Sequence, residues 1–191
     1  IILLPFILPL IKKSINKKDL IIYIFRGFAH GAGVILWFYA MSRIPIAEVT
    51  AISYTGPIYI SIGAAIFFGE RLALRRIIAI LIAFIGTLII LRPGFQEIST
   101  GQLAQIISAP LFAISYLLSK ELTKNHNSLV IVCMLSVFVT LTLAPPAISV
   151  WVQPTVKEIL SLAVVAILAT LGPVSYTHLR AHETREERVF R

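Results

Sequence analysis

Few residues in this chain are equipped for chemistry, and most of them lie inside long apolar runs. Pro57 follows Ser53, Tyr54, Thr55 and Gly56. It has no amide hydrogen, so it deprives the carbonyl of Ser53, four residues earlier, of a helical partner. Inside a bilayer such freed backbone is tolerated only where it faces protein, hydroxyls or water. Ser53, Tyr54, Thr55 and Pro57 therefore either line a cavity or mark a plain packing kink. Pro110 repeats the arrangement by freeing the carbonyl of Ile106, with Ser108, Ser115 and Tyr116 nearby, and the same two readings apply.

The titratable groups are sparse. Glu48 lies just inside an apolar run, close to Pro45. A carboxylate at the bilayer centre costs about 2.5–3.5 kcal/mol on the insertion scale, less near a helix end. Glu48 is thus either a coupling group for protons or substrate, or a helix N-terminal acid that complements the dipole and pairs with Arg43. His30, near the basic end of its run, can titrate near neutrality as a second coupling group, or serve as an interfacial histidine. Trp37, Phe38 and Tyr39 are either interface anchors or aromatic walls for a ligand, Trp37 being the candidate ligand contact. His178 and His182, four apart with Glu183 beside them, imitate a helical metal pair, but no metal site is expected there. Phosphate-loop, zinc-protease and serine-hydrolase motifs are absent. Neither ATP hydrolysis nor a cofactor is therefore expected.

The elements that must position these residues follow from composition. The 191 residues are 58% hydrophobic and 14% charged, with mean hydropathy +0.90, against about 45–50% and about 25% for an ordinary soluble domain. One cysteine, Cys133, excludes an internal disulfide. The net charge of +8 sits between apolar runs rather than on one solvated face, which argues against nucleic acid. Five full apolar segments run from Gly27 to Ser42, Ile46 to Phe68, Leu74 to Leu91, Gly101 to Ser119 and Ser128 to Val150, with partial ones at Ile1 to Ile11 and Ile159 to Leu171. None alternates as a barrel strand would, and their lengths suit helices across a bilayer about 30 Å thick. The expected fold is an all-α, polytopic transmembrane helix bundle, with Arg26, Arg43, Arg75, Arg76 and Arg92 snorkelling to the headgroups.

Charge also predicts orientation. Alternate loops hold ten basic residues, Lys12, Lys13, Lys17, Lys18, Arg26, Arg71, Arg75, Arg76, Lys120 and Lys124, against Arg43, Arg92 and Lys157 on the other side. The richer side is expected to be cytoplasmic. Gly27 and Gly31 form a small-residue face, with Ala29 and Gly33 beside it, suited to close helix packing.

The stretch WFYAMSRIPIAEVTAISYTGPIYISIGAAIFFGERLALRRIIAILIAFIGTLIILRPG, Trp37 to Gly94, resembles the EamA family of the drug/metabolite transporter superfamily. The marks are an aromatic-rich turn closing on a proline, a second span with a proline after a hydroxyl-rich turn, a GER loop, and a span ending in RPG. The resemblance implies a ten-helix carrier of two inverted five-helix repeats, present here in part. Residues 1–94 would be the first repeat, short of its opening helix, and 98–172 the start of the second. Two such halves rock around a midplane site. The implied activity is secondary transport of a small organic metabolite, with a membrane-embedded enzyme acting on lipid or isoprenoid substrates as the alternative. The expected setting is a bacterial inner membrane, crossed several times, and the expected partners are the substrate, the lipid bilayer and a second copy of the chain. Residues 173–191 (PVSYTHLRAHETREERVFR) resemble translated adapter or vector sequence and are expected to be non-native.

Overall fold

The computed structural model describes residues 15–70, 74–91 and 98–168. Every regular element among them is helical: α1 (Lys17–Met41), α2 (Ile46–Ser53), α3 (Gly56–Phe68), α4 (Leu74–Leu91), α5 (Thr100–Leu122), α6 (Ser128–Ser149) and α7 (156–168). The all-α membrane bundle expected from composition is what forms. Four stretches of described residues are long and apolar enough to cross a membrane, namely α1, α2 with α3, α5 and α6. The third apolar segment is helical over its expected bounds as α4, 18 residues long. The described residues 148–168 belong to a separate unit, in which α7 starts after Thr155, whose amide and hydroxyl both donate to Glu158 Oε2 (2.7 and 2.8 Å). His178 and His182 and the remainder of 173–191 lie outside the described residues.

The first span is longer than its apolar core. Helix α1 starts ten residues before Gly27, where Asn16 Oδ1 accepts the amide of Asp19 at 2.8 Å, and it continues straight through Asp19 and Arg26. Charge does not end this helix because both charged groups are matched inside the bundle. His126 Nε2 meets Asp19 Oδ2 at 2.8 Å, and Arg26 donates from Nε to the carbonyl of Ser115 (3.2 Å) and from Nη1 to that of Ile131 (2.9 Å). Arg26 is 5% exposed and so does not snorkel. It ties α1 to α5 and α6 from within.

The second span divides. Helix α2 stops at Ser53 and α3 starts at Gly56, with Pro57 in its first turn. Pro110, in contrast, is accommodated inside an unbroken α5. A proline removes one helical hydrogen bond in either place. At Pro57 the preceding residue is glycine, the least helix-favouring residue after proline, whereas Ala109 before Pro110 is the most favouring. The C-terminus of α3 is closed by Gly69, whose φ of 64° is the left-handed geometry that glycine adopts freely.

Helix α5 is the hub. It has its most extensive contact with α1 and packs also on α2 and α3. Its buried side carries many small residues, Ala104, Ser108, Ala109, Ala113 and Ser115, which lets backbones approach where lipid provides no hydrophobic drive. The glycine face of α1 does the same against α6. A Cβ on Gly27 would lie 2.1 Å from Phe138 Cβ, and one on Gly31 would lie 2.6 Å from Thr142 Cβ. Large apolar side chains such as Ile21, Phe25, Ile66, Phe67 and Ile82 point outward, the surface a bilayer requires.

Candidate functional site

At the basic end, Tyr23, Leu122, Val130, Ile131, Cys133 and Met134 form one apolar cluster. The His126–Asp19 pair sits beside it, and Tyr23 and His126 are in ring contact at 5.5 Å. Lys120 is paired with Glu70, with its ammonium 4.8 Å from the centre of the Phe68 ring. The Lys120 ammonium holds the solvent-facing Glu70 carboxyl below its ordinary value of 4.5. At the opposite end Ser99 and Gln102 form a reciprocal capping box on α5. Gln102 uses its oxygen for that cap, accepting from Ser99 N at 2.9 Å, and its Nε2 donates to Glu48 Oε2 at 3.0 Å. Glu48 is thus bonded across to α5. The expected Arg43 partner instead lies over the Tyr39 ring, 5.1 Å from its centre.

Between these two ends lies a cavity of about 540 Å³, lined by α1, the α2–α3 break and α5. His30, Trp37, Phe112 and Tyr116 supply aromatic walls, and Ser53, Pro57 and Gln105 form the side toward the break. His30 is the fourteenth of the 25 residues of α1, so it lies at mid-helix and not near an end. Its Nδ1 is 3.1 Å from the Ser115 hydroxyl, and the edges of Phe112 and Tyr116 approach its ring at 5.0 and 6.5 Å. Ser115 is buried behind His30 and does not reach the cavity wall.

Of the hydroxyl-rich turn, Ser53, Gly56 and Pro57 line this cavity, and Tyr54 and Thr55 do not. Thr55 is buried and donates to the carbonyl of Ile52 at 2.7 Å. Tyr54 points away, 63% exposed, onto a separate apolar cleft bounded by Ala83, Gly86 and Thr87 of α4. Rotation of about 100° per helical residue separates the four neighbours. A span read as one hydroxyl cluster therefore offers the cavity one hydroxyl. Gln105 and Phe112 were not singled out by sequence reasoning. The signal that finds them is position: they stand five residues before and two after Pro110, on the face of α5 that meets the Pro57 break.

Ser53 and Gln105 join the two sides of the cavity. Gln105 Nε2 donates to Ser53 Oγ at 2.8 Å, and Ser53 Oγ donates to the carbonyl of Val49, also at 2.8 Å. No group of three or more histidine, cysteine, aspartate or glutamate side chains able to hold a metal ion occurs among the described residues.

Comparison with known proteins adds what this geometry lacks. Residues 1–92 match the model of the EamA-like transporter family. Alignments to curated relatives run well past that point. The chain is 26% identical over 172 residues to an S-adenosylmethionine uptake transporter of Rickettsia bellii, covering 90% of this chain and 58% of the relative. It is 24% identical over 173 residues to the pseudopaline exporter CntI of Pseudomonas aeruginosa, covering 90% and 61%. A riboflavin transporter of Brucella anthropi matches at 28% over 155 residues, covering 79% and 53%. The chain thus spans little more than half the length of these relatives. No solved structure matches it.

Proposed function

We propose that this chain is part of a secondary carrier that moves a small organic metabolite across a bacterial inner membrane by alternating access, with no enzymatic step. The observation that carries the reading is the cavity. Its walls come from α1 and the α2–α3 break in residues 1–94, and from α5 in residues 98–172. Those are the two proposed repeats, so a movement of one half against the other changes the shape of the cavity itself. Broken helices beside a midplane cavity are the membrane form of a binding site. Relatives named for uptake of S-adenosylmethionine, export of pseudopaline and transport of riboflavin support a metabolite-sized cargo and leave direction open.

The basic ends of α1 and α5 are taken as cytoplasmic, and Ser53, Pro57, Trp37, His30 and Tyr116 as substrate contacts. Glu48 is the coupling candidate, held at the outer end by Gln102. The membrane-enzyme reading needs acids or histidines gathered at one membrane face, and the described polar pairs are split between the two ends of the bundle. The test is transport by the full-length protein in proteoliposomes, with a metabolite panel and imposed proton gradients. Saturable, gradient-responsive flux is the expected result. Product formation from a lipid substrate without flux would favour the enzyme.

A further inference from the structure

Resting on that carrier reading, we infer that His30 is the specificity-determining residue of the cavity, presenting Nε2–H as a donor, and that the ligand it selects is an uncharged planar ring with an acceptor at its edge. The assignment begins with the proton of Ser115. That hydroxyl belongs to a residue only 1% exposed, and His30 Nδ1, 3.1 Å away, is its one hydrogen-bond partner among the described residues. A ring proton on Nδ1 would leave the buried hydroxyl proton without an acceptor, so Nδ1 accepts and the ring proton sits on Nε2. His30 lines the cavity and Ser115 does not, so the Nδ1 edge is turned behind the wall and the Nε2 edge is the one left for a ligand. That edge is reachable. The enclosed side-chain nitrogens and oxygens without a partner among the described residues are Tyr23 Oη and Gln105 Oε1. His30 Nε2 has no partner among those residues either and is not one of the enclosed atoms, so it keeps an accessible surface. In an open cavity solvent accepts its proton. A ligand that fills the cavity displaces that solvent and must bring an acceptor of its own, or affinity falls.

The rest of the wall fits the same ligand. Aspartate, glutamate, lysine and arginine are absent from the lining residues, so nothing there compensates a charge. Arg26, one helical turn before His30, is directed at two backbone carbonyls. Trp37, Phe112 and Tyr116 offer flat surfaces on which a ring can stack or meet an edge. These walls suit a planar, neutral ring, and His30 reads its rim. A site built to hydrogen-bond its ligand discriminates more sharply against the analogue lacking the acceptor than an apolar wall discriminates by size.

The experiment uses the full-length protein in nanodiscs, with quinoline and naphthalene as probes of one shape that differ in a single ring nitrogen, and empty nanodiscs as the blank for lipid partitioning. The wild type should bind quinoline roughly tenfold more tightly than naphthalene, the scale of one hydrogen bond. His30→Phe should abolish that preference. His30→Gln, whose amide nitrogen lies as many bonds from Cβ as Nε2 does, should keep part of it. Ser115→Ala, outside the cavity wall, releases Nδ1 to carry the ring proton and should shrink the preference with the fold intact. Nitrogen-15 NMR of histidine-labelled protein, with His30 assigned by its loss in His30→Phe, should report the Nε2–H form. No wild-type preference, preference retained in His30→Phe, a ring proton on Nδ1, or tighter binding of 2-naphthoate than of quinoline would overturn the inference. Discrimination by a wild type that shows no flux sinks the carrier reading alone. Flux without discrimination sinks this inference alone.

Discussion

Arg26 ties three helices together from inside the bundle. Its charge and its position at the edge of an apolar run suggest a residue reaching for headgroups, yet it is buried, with its two donors aimed at backbone carbonyls on α5 and α6. Those acceptors lie 89 and 105 residues further on, a separation at which no periodicity or spacing gives a signal. Lysine has the charge without the planar fork and cannot hold both carbonyls. Arg26→Lys is expected to destabilise the protein by about 1.5–3 kcal/mol, the worth of one hydrogen bond to a charged group. Maleimide labelling of the buried Cys133 on heating in detergent is the measurement, and labelling at the wild-type temperature would refute it. Glu48→Gln keeps an acceptor for Gln102 Nε2, so folding should be unchanged. Loss of proton dependence with binding retained would make Glu48 the coupling group, and unchanged transport would leave it a capping acid. The Glu70–Lys120 pair has a definite sign. The depressed carboxyl stabilises the fold fully above its ordinary value of 4.5, and the contribution disappears as pH falls through the lower folded value. Wild type and Glu70→Gln should therefore differ slightly in melting temperature at neutral pH and converge in acid.

At the scale of elements, local chemistry was legible wherever partners are local. The α-helical periods, the Pro57 break, the small-residue face of α1 and the Gly69 stop follow from residue types within one or two turns. The facings do not, because they depend on a neighbour distant in sequence. Asp19 is buried inside the bundle against His126, 107 residues away, and the neighbours of Pro57 face three different ways. Two contrasts test this level. Gly31→Ala places a methyl into Thr142 and should lower folded yield, whereas Gly86→Ala, with nothing within 4 Å of the added carbon, should be neutral or stabilising by up to about 1 kcal/mol. Pro57→Ala allows residue 57 to donate to the Ser53 carbonyl and should fuse α2 with α3. Insertion should be intact and transport reduced. Transport at the wild-type level would reduce the break to packing.

For the molecule as a whole, the described contacts alternate consistently. Lys120 with Glu70 and His126 with Asp19 gather the basic ends of four helices, and Glu48 with Gln102 marks the other end. Ser99→Cys and Asn125→Cys, each in a Cys133→Ala background, should separate in whole-cell labelling, with only Ser99→Cys reachable from outside. The reverse pattern would invert the topology. The buried Arg26 sets a clock on biogenesis. It enters the bilayer with α1, and the second of its two acceptors, at Ile131, is 105 residues downstream. At about 5–20 residues per second the ribosome takes roughly 5–20 s to supply that acceptor. During this interval a lone arginine in the span costs about 2.5–3.5 kcal/mol. Until α5 and α6 arrive, α1 thus carries a charge with neither of its acceptors in place.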